Sequence, residues 1–240
     1  MRKFGLIGFP LTHSFSESYF QEKFFKEDLH NCQYQNFPIE DITKVRESLE
    51  NKGLIGFNVT IPHKESITPF LDALSKDAEA IGAVNTVLVK NNKWIGHNTD
   101  WIGFYHSIKP LLKDHHKKAL ILGSGGASKA IIYALEQLHI KTLVISRKEA
   151  FTNYSEINKK LLEEHQLIIN CTPLGTFPKT EEYPPIPYEL LSSKHLLYDL
   201  VYNPSESRFL TYGKANGAST KNGLEMLHRQ AEEAWEIWNS

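Results

Sequence analysis

Short apolar runs alternate with amphipathic segments almost from the first residue of the chain. Residues 3–9 form an apolar run closed by Pro10, and 16–25 carry a helical pattern. Residues 33–38 predict a second strand. In 41–50, Ile42, Val45 and Leu49 recur at helical spacing, with Asp41 placed as the N-cap and Gly53 just past the end. Residues 54–59 are strand-like again, and Pro62 falls where the first turn of a helix accepts proline. Residues 84–89 and 94–97 flank Lys90-Asn91-Asn92-Lys93, a hairpin signal, so this half is not a pure βαβ series. The basic, Pro-containing stretch 109–118 marks a boundary. Beyond it, 119–122 is a tight strand running through a glycine turn into a helix over 127–138, and 142–146, 167–170 and 196–200 supply further strands. Residues 172–187 hold five of the eleven prolines and predict a loop. In 223–238, Leu224, Leu227, Ala231, Ala234 and Trp238 share one helical face. This order predicts an α/β architecture with parallel pairing. Two domains are expected, 1–99 and 100–221, with the terminal helix 222–240 returning to the first.

Composition narrows the function classes. Of 240 residues, 27 are Lys or Arg and 28 Asp or Glu, a net charge of -1. That balance gives no field to gather nucleic acid or anionic membrane. With 41% hydrophobic and 23% charged residues the chain has ordinary globular usage. No apolar stretch approaches the ~20 residues of a membrane helix, and the first apolar run is too short for a secretory signal. Cys32 and Cys171 stand far apart, and the His residues show no metal spacing. A soluble cytoplasmic protein without disulfide or metal is the expectation, as a monomer or homodimer.

The sharpest local signal is Gly123-Ser124-Gly125-Gly126-Ala127-Ser128 between a strand and a helix. Gly123 and Gly125 permit a tight turn and close approach of backbone to a pyrophosphate, whose charge meets free N–H groups of the helix start. A site for NAD usually ends its second strand in Asp or Glu, to hold the ribose 2′-hydroxyl. Here the residues are Ser146-Arg147-Lys148. Two cations and a hydroxyl suit a 2′-phosphate, so NADP is favoured over NAD.

Three polar clusters lie in the first half. Ser14-x-x-Glu17 fits a capping box, and hydroxyls at a helix start can equally receive a carboxylate. Asn58, Thr60 and Lys64 follow a strand at the edge where open α/β sheets bind ligands. Asn85 precedes a strand; Asp100 follows one and could equally cap a helix over 101–111.

Taken together these segments resemble the shikimate dehydrogenase family. The likeness rests on Ser14 and Ser16, Asn-Val-Thr-Ile-Pro-His-Lys (58–64), Gly-Ala-Val-Asn-Thr (82–86), Asn-Thr-Asp (98–100) and the glycine turn. It continues through Asn-Cys-Thr-Pro-Leu-Gly (170–175), Asp-Leu-Val-Tyr-Asn-Pro (199–204) and Asn-Gly-Leu-Glu-Met-Leu with Gln230. The resemblance implies an N-terminal α/β substrate domain and a doubly wound Rossmann-type NADP domain. It also implies interconversion of 3-dehydroshikimate and shikimate, on the way to chorismate and the aromatic amino acids. By motif, Ser14 and Ser16 would hold the substrate carboxylate with Thr60 and Tyr202 beside it. Asn58 would belong to the same substrate set, and Asn85, Asp100 and Gln230 would contact ring hydroxyls. Lys64 and Asp100 would be the catalytic pair. Gly123, Ser124, Gly125, Gly126, Ala127, Ser146, Arg147 and Lys148 would bind the adenosine and phosphate end of the cofactor. Thr172, Leu174 and Val201 would line its channel, and Gly223 would lie near the nicotinamide.

The chemistry suits these residue types. Hydride arriving at a ketone carbon leaves an oxyanion, and an ammonium paired with an aspartate can act as its general acid, typically worth ~10²–10⁴-fold. Departures from the pattern are Phe9 where Asn is common, and Ser146 and Lys148 in place of an Asn-Arg-Thr sequence, which leaves Arg147. Connections around 151–164 are short, predicting reduced peripheral helices in the cofactor domain. The competing readings are a quinate or aminoshikimate relative with relaxed cofactor use, an idle paralogue, and a tetrahydrofolate-type dehydrogenase. Lys64 and Asp100 argue against the second, and Ser14, Ser16 and Tyr202-Asn203-Pro204 against the third.

Overall fold

The structure is a computed structural model and describes residues 1–11 and 15–240. The chain divides into two compact units, Met1–Thr99 with Ala231–Ser240, and Asp100–Gln230.

The first unit contains β1 (Arg2–Gly8), α1 (Phe15–Lys26), β2 (Cys32–Pro38), α2 (Val45–Leu49), β3 (Leu54–Val59), β4 (Ala73–Leu74), α3 (Lys76–Ile81), β5 (Thr86–Lys90) and β6 (Lys93–His97). Its sheet runs β2-β1-β3-β5-β6-β4. β1 pairs parallel with β2 and β3, whereas β5 is antiparallel to both β3 and β6. The hairpin turns through Asn91 and Asn92 at φ 52° and 60°. Both are left-handed, as a two-residue loop between twisted strands demands. One sheet face buries Ile7, Phe57, Val87 and Trp94. The other packs Phe4 against Phe20, Trp235 and Trp238. Trp238 fills the space a side chain at Gly56 would need, and its indole N–H donates to the Val87 carbonyl at 3.0 Å.

Two predicted helices of this unit take another form. Residues 41–50 break into a 3₁₀ turn (Ile42–Lys44), the five-residue α2 and a second 3₁₀ turn (Glu50–Lys52). Asp41 does accept from the Thr43 N–H at 3.0 Å, and Gly53 ends the segment at φ 66°. After Pro62 there is no α-helix: 61–67 are turns leading to a 3₁₀ turn at Thr68–Phe70. Pro62 lacks an N–H, and the bonds present mix three- and four-residue reach, His63 to Thr60 and Ile67 to His63. The turn is anchored instead by the buried His63, whose Nε2–H donates to the Ile39 carbonyl at 2.6 Å.

The second unit contains α4 (Asp100–Ile108), β7 (Lys118–Leu122), α5 (Gly126–Gln137), β8 (Lys141–Ile145), α6 (Lys159–Glu164), β9 (Leu167–Asn170), β10 (Leu196–Asp199), α7 (Arg208–Ala215) and β11 (Ser219–Lys221). Its five strands run β11-β10-β9-β7-β8, all parallel. Alternation along β7 sends Ala119 and Ile121 into a core with Phe104, Ile131 and Leu135, and Leu120 and Leu122 into one with Leu162, Phe209 and Leu210. Helices therefore cover both faces, the doubly wound plan. The crossover from β8 to β9 is short, a 3₁₀ turn (Tyr154–Glu156) and the six-residue α6.

The terminal helix is α8 (Leu224–Trp238). The division between units falls within it, between Gln230 and Ala231, rather than at residue 222. The reason is burial: Met226 joins the second unit's core, and Ala231, Ala234, Trp235 and Trp238 join the first unit's.

Candidate active site

Strand register builds a polar row across the first sheet. Leu6 pairs with Asn36 on one side and Asn58 on the other; Asn58 faces Thr86, and Thr86 faces His97. Paired residues share a face, so Asn36, Asn58, Thr86 and His97 line one face beyond the aromatic core. The Asn36 amide donates to Glu17 at 2.6 Å, and Ser16 hydrogen-bonds the Tyr34 hydroxyl. Burial pushes the Tyr34 hydroxyl far above the ordinary phenol range and holds the His97 imidazole below its usual value. Asn36 Oδ1 and His97 Nε2 are buried with no hydrogen-bond partner among the described residues.

Asn58 is wholly engaged in this row. Its Oδ1 accepts from Tyr34 at 2.8 Å, and its amide donates to the Asn85 carbonyl at 3.2 Å and Thr86 Oγ1 at 3.1 Å. Both amide hydrogens are thus spent within the protein. Asn85 is tied to the end of the unit: its Oδ1 accepts from the Thr99 N–H at 2.7 Å, and its amide donates to Thr99 Oγ1 at 2.9 Å. The Val84 N–H donates to the Lys64 carbonyl at 2.7 Å and the Thr60 N–H to the Ile7 carbonyl at 2.9 Å. Lys64, half-buried, and Thr60 are thereby pinned to the row holding Asn58 and Asn85. Ser14 lies outside the described residues.

In the second unit Asp100 is buried as the first residue of α4, inside the helix instead of capping it. One turn on, Gly103 admits α8 so closely that the Met226 carbonyl lies 2.6 Å, and the Gln230 nitrogen 3.0 Å, from where a Cβ would stand. The missing side chain thus brings the helix bearing Asp100 against the one bearing Gln230. Gln230 is buried, and its Nε2 donates to the Leu227 carbonyl at 2.9 Å. Tyr202 is half-buried, and that burial raises its hydroxyl.

The glycine turn has the geometry its sequence predicts. Gly123 sits at φ +108°, with its N–H on the Ile145 carbonyl at 2.8 Å. Gly125 precedes α5 without a side-chain cap, and no atom lies within 4 Å of where its Cβ would be. Open space before the first-turn N–H groups at Gly126 and Ala127 fits a phosphate. Ser124 Oγ meets Ser146 Oγ at 3.0 Å, and Ser146 Oγ accepts from the Lys148 N–H at 3.3 Å. Arg147 and Lys148 stand exposed there, a cationic rim suited to a second phosphate group.

Sequence reasoning missed Asn170 and Asp199 as more than members of quoted motifs. They pair in register at the ends of β9 and β10, both fully buried. The signal was available: a lone Asn and a lone Asp, each closing an otherwise apolar strand. Among the described residues no group of three His, Cys, Asp or Glu could hold a metal, and no helix is long and apolar enough to cross a membrane.

A parallel doubly wound sheet with an open glycine cradle makes the second unit a Rossmann-type nucleotide-binding fold, joined in one chain to a mixed α/β unit with a polar sheet edge. A sequence profile described as the shikimate dehydrogenase substrate binding domain matches residues 6–87. The shikimate dehydrogenase (NADP(+)) of Staphylococcus epidermidis is 38% identical, over 99% of this chain and 92% of that protein. Among solved structures, shikimate dehydrogenase from Aquifex aeolicus is 37% identical with a TM-score of 0.88, covering 100% of this chain and 92% of that one. The Thermus thermophilus enzyme in complex with NADP(H) and shikimate is 30% identical with a TM-score of 0.84, over 99% and 93% of the two chains. The chain belongs to the shikimate dehydrogenase family.

Proposed function

We propose that the chain catalyses the NADP-dependent, reversible reduction of 3-dehydroshikimate to shikimate, with Met1–Thr99 and Ala231–Ser240 as the substrate unit and Asp100–Gln230 as the cofactor unit. The observation that carries this reading is the near end-to-end likeness to a relative named for that NADP-dependent activity. The retained Lys64 and Asp100 accord with it.

Bound NADPH supplies the hydride. Gly123, Ser124, Gly125, Gly126 and Ala127 hold its pyrophosphate, Ser146, Arg147 and Lys148 its 2′-phosphate, and Thr172, Leu174, Val201 and Gly223 the remainder. Ser14, Ser16, Thr60 and Tyr202 receive the substrate carboxylate through hydroxyl donors, with charge-assisted bonds of about 1.5–3 kcal/mol each. Asn85, Asp100 and Gln230 meet ring hydroxyls. Lys64 gives a proton to the oxygen of the reduced carbon, and Asp100 orients the ammonium. In the reverse direction the same group takes the hydroxyl proton. Asn58 acts from behind: its saturated amide fixes Asn85 and Thr86 and leaves no N–H for substrate.

The test is the absorbance change of the nicotinamide with the purified chain on shikimate and on quinate, each with NADP and NAD. Shikimate with NADP should turn over fastest. No turnover of shikimate, or a preference for NAD or quinate, would overturn the assignment.

A further inference from the structure

The mechanism above leaves the two most deeply buried polar residues of the second unit without a part. Asn170 and Asp199 are each 0% exposed and face one another across β9 and β10, with Asn170 Nδ2 donating to Asp199 Oδ1 at 2.9 Å. A carboxylate is rarely taken this far from water without a return. Its bonds show where the return goes.

Asp199 Oδ1 also accepts from the Val201 N–H at 3.0 Å, while Oδ2 accepts from the hydroxyl of Ser207, the N-cap of α7. Asn170 Oδ1 accepts from both the N–H and the hydroxyl of Thr172, at 3.0 and 2.6 Å, and its amide reaches the Leu174 carbonyl at 3.3 Å. The Val201 carbonyl in turn accepts from the Gly223 N–H at 3.2 Å. Three separate stretches of chain, 170–174, 199–207 and 223, thus hang on one buried amide–carboxylate pair. They carry Thr172, Leu174, Val201 and Gly223, every cofactor contact assigned above outside the glycine turn and the 146–148 rim. The glycine turn follows β7, the strand beside β9, and the Leu122 carbonyl accepts from the Cys171 N–H at 2.8 Å, but neither the turn nor the 146–148 rim bonds the Asn170 or Asp199 side chain.

We infer that Asn170 and Asp199 are positioning residues for the nicotinamide half of the cofactor, holding three loops in one geometry, while the adenosine half rests on a glycine turn and a 146–148 rim that make no bond to either side chain. The inference rests on the cofactor assignment of the preceding subsection. Cys171 and Tyr188 are titratable neighbours that feel the Asp199 charge; burial first, and that charge second, push both up. Neither supplies a counter-charge, so the three donors hold the carboxylate in place.

The experiment compares NADPH with 2′,5′-ADP, which carries the adenosine and 2′-phosphate but no nicotinamide, binding each to the full chain without substrate. Asp199→Ala should weaken NADPH about tenfold or more while leaving 2′,5′-ADP within about twofold, since it removes the acceptor of three hydrogen bonds. Asn170→Ala should give the same split. Asp199→Asn keeps one acceptor oxygen for Val201 and Asn170, and should lose only about threefold on NADPH. Equal weakening of both ligands would mean a merely structural pair, and unchanged NADPH binding would mean no role; either overturns the inference. If the alanine variants do not fold, Asp199→Asn decides alone, and wild-type NADPH affinity in it is the overturning result. Because no step needs substrate, a chain inactive on shikimate would sink the proposed function and leave this test standing.

Discussion

Replacing Asn58 with leucine separates a scaffold from a ligand contact. The side chains are of similar size, but leucine offers nothing to the Tyr34 hydroxyl, now 2.8 Å from Oδ1, or to Thr86 Oγ1, now 3.1 Å from Nδ2. Tyr34 is 3% exposed and Thr86 0%, so water cannot replace the lost partner. None of the three partners is orphaned: the Asn85 carbonyl keeps the Val59 N–H at 2.8 Å, Thr86 Oγ1 keeps Asn85 Oδ1 at 3.2 Å and Thr99 Oγ1 at 3.3 Å, and the Tyr34 hydroxyl keeps Ser16. Three lost hydrogen bonds at about 1 kcal/mol each, less roughly 1.5 kcal/mol for the buried leucine, leave a destabilisation of about 1.5 kcal/mol. For a chain of this size that lowers the melting temperature by about 3–6 °C. Tyr34→Phe removes the other half of the Tyr34–Asn58 bond. The double variant should therefore fall short of the summed single effects by about 1 kcal/mol or more in thermal or urea unfolding. A wild-type melting temperature with a KM for shikimate raised about tenfold would show Asn58 to be a substrate contact. Effects that add within about 0.3 kcal/mol would refute the network reasoning as well.

Lys64→Ala should cut turnover by ~10²–10⁴ with substrate KM within about tenfold, because proton delivery is lost but the other contacts remain; near-normal turnover would remove Lys64 from the chemistry. Arg147→Ala should weaken NADPH far more than NADH in fluorescence titrations, and equal weakening would mean the 2′-phosphate lies elsewhere. Stability should fall on acidification from pH 6.5. Burial holds the imidazoles of His97, His116 and His165 below their usual value, so stability they confer above the unfolded pKa is lost as pH falls through the folded one. Asp199 works oppositely: its carboxyl is raised to about 6, so its contribution is complete below the unfolded value of 3.8 and lost as pH rises through 6. Melting curves from pH 7 to 5 on wild type and on His165→Gln check the sign: the variant should lose less stability on acidification than wild type, and an equal or larger loss contradicts it.

The elements legible in the sequence were those whose pattern is long or punctuated. β1, β3 and β7 are apolar runs with sharp ends, and α8 shows one apolar face over fifteen residues. Elements fixed by partners were not legible. β11 is three polar residues, Ser-Thr-Lys, made a strand by pairing with β10, and β4 is two residues against β6. α3 spans six residues, too few to show a period, although Ser75 caps it and Gly82 ends it at φ 68°. α7 could have been found from the Ser207 cap and the apolar Phe209 and Leu210. In the site, residue types and order were readable, but hydrogen-bond saturation was not: only coordinates reveal that Asn58 has no spare N–H, or that Asn170 and Asp199 meet in register.

Trp235 and Trp238 pack against Phe4 at ring separations of 5.3 and 5.0 Å, closing the first unit's core with residues made more than two hundred positions after it begins. On a ribosome that order has a cost. The leading α/β layer emerges with the groove beside Gly56 unfilled, while the contiguous stretch from Asp100 to Gln230 can complete its own sheet sooner. The first segment to be translated therefore completes its core only once the last helix has been made, after the final strand of the second unit.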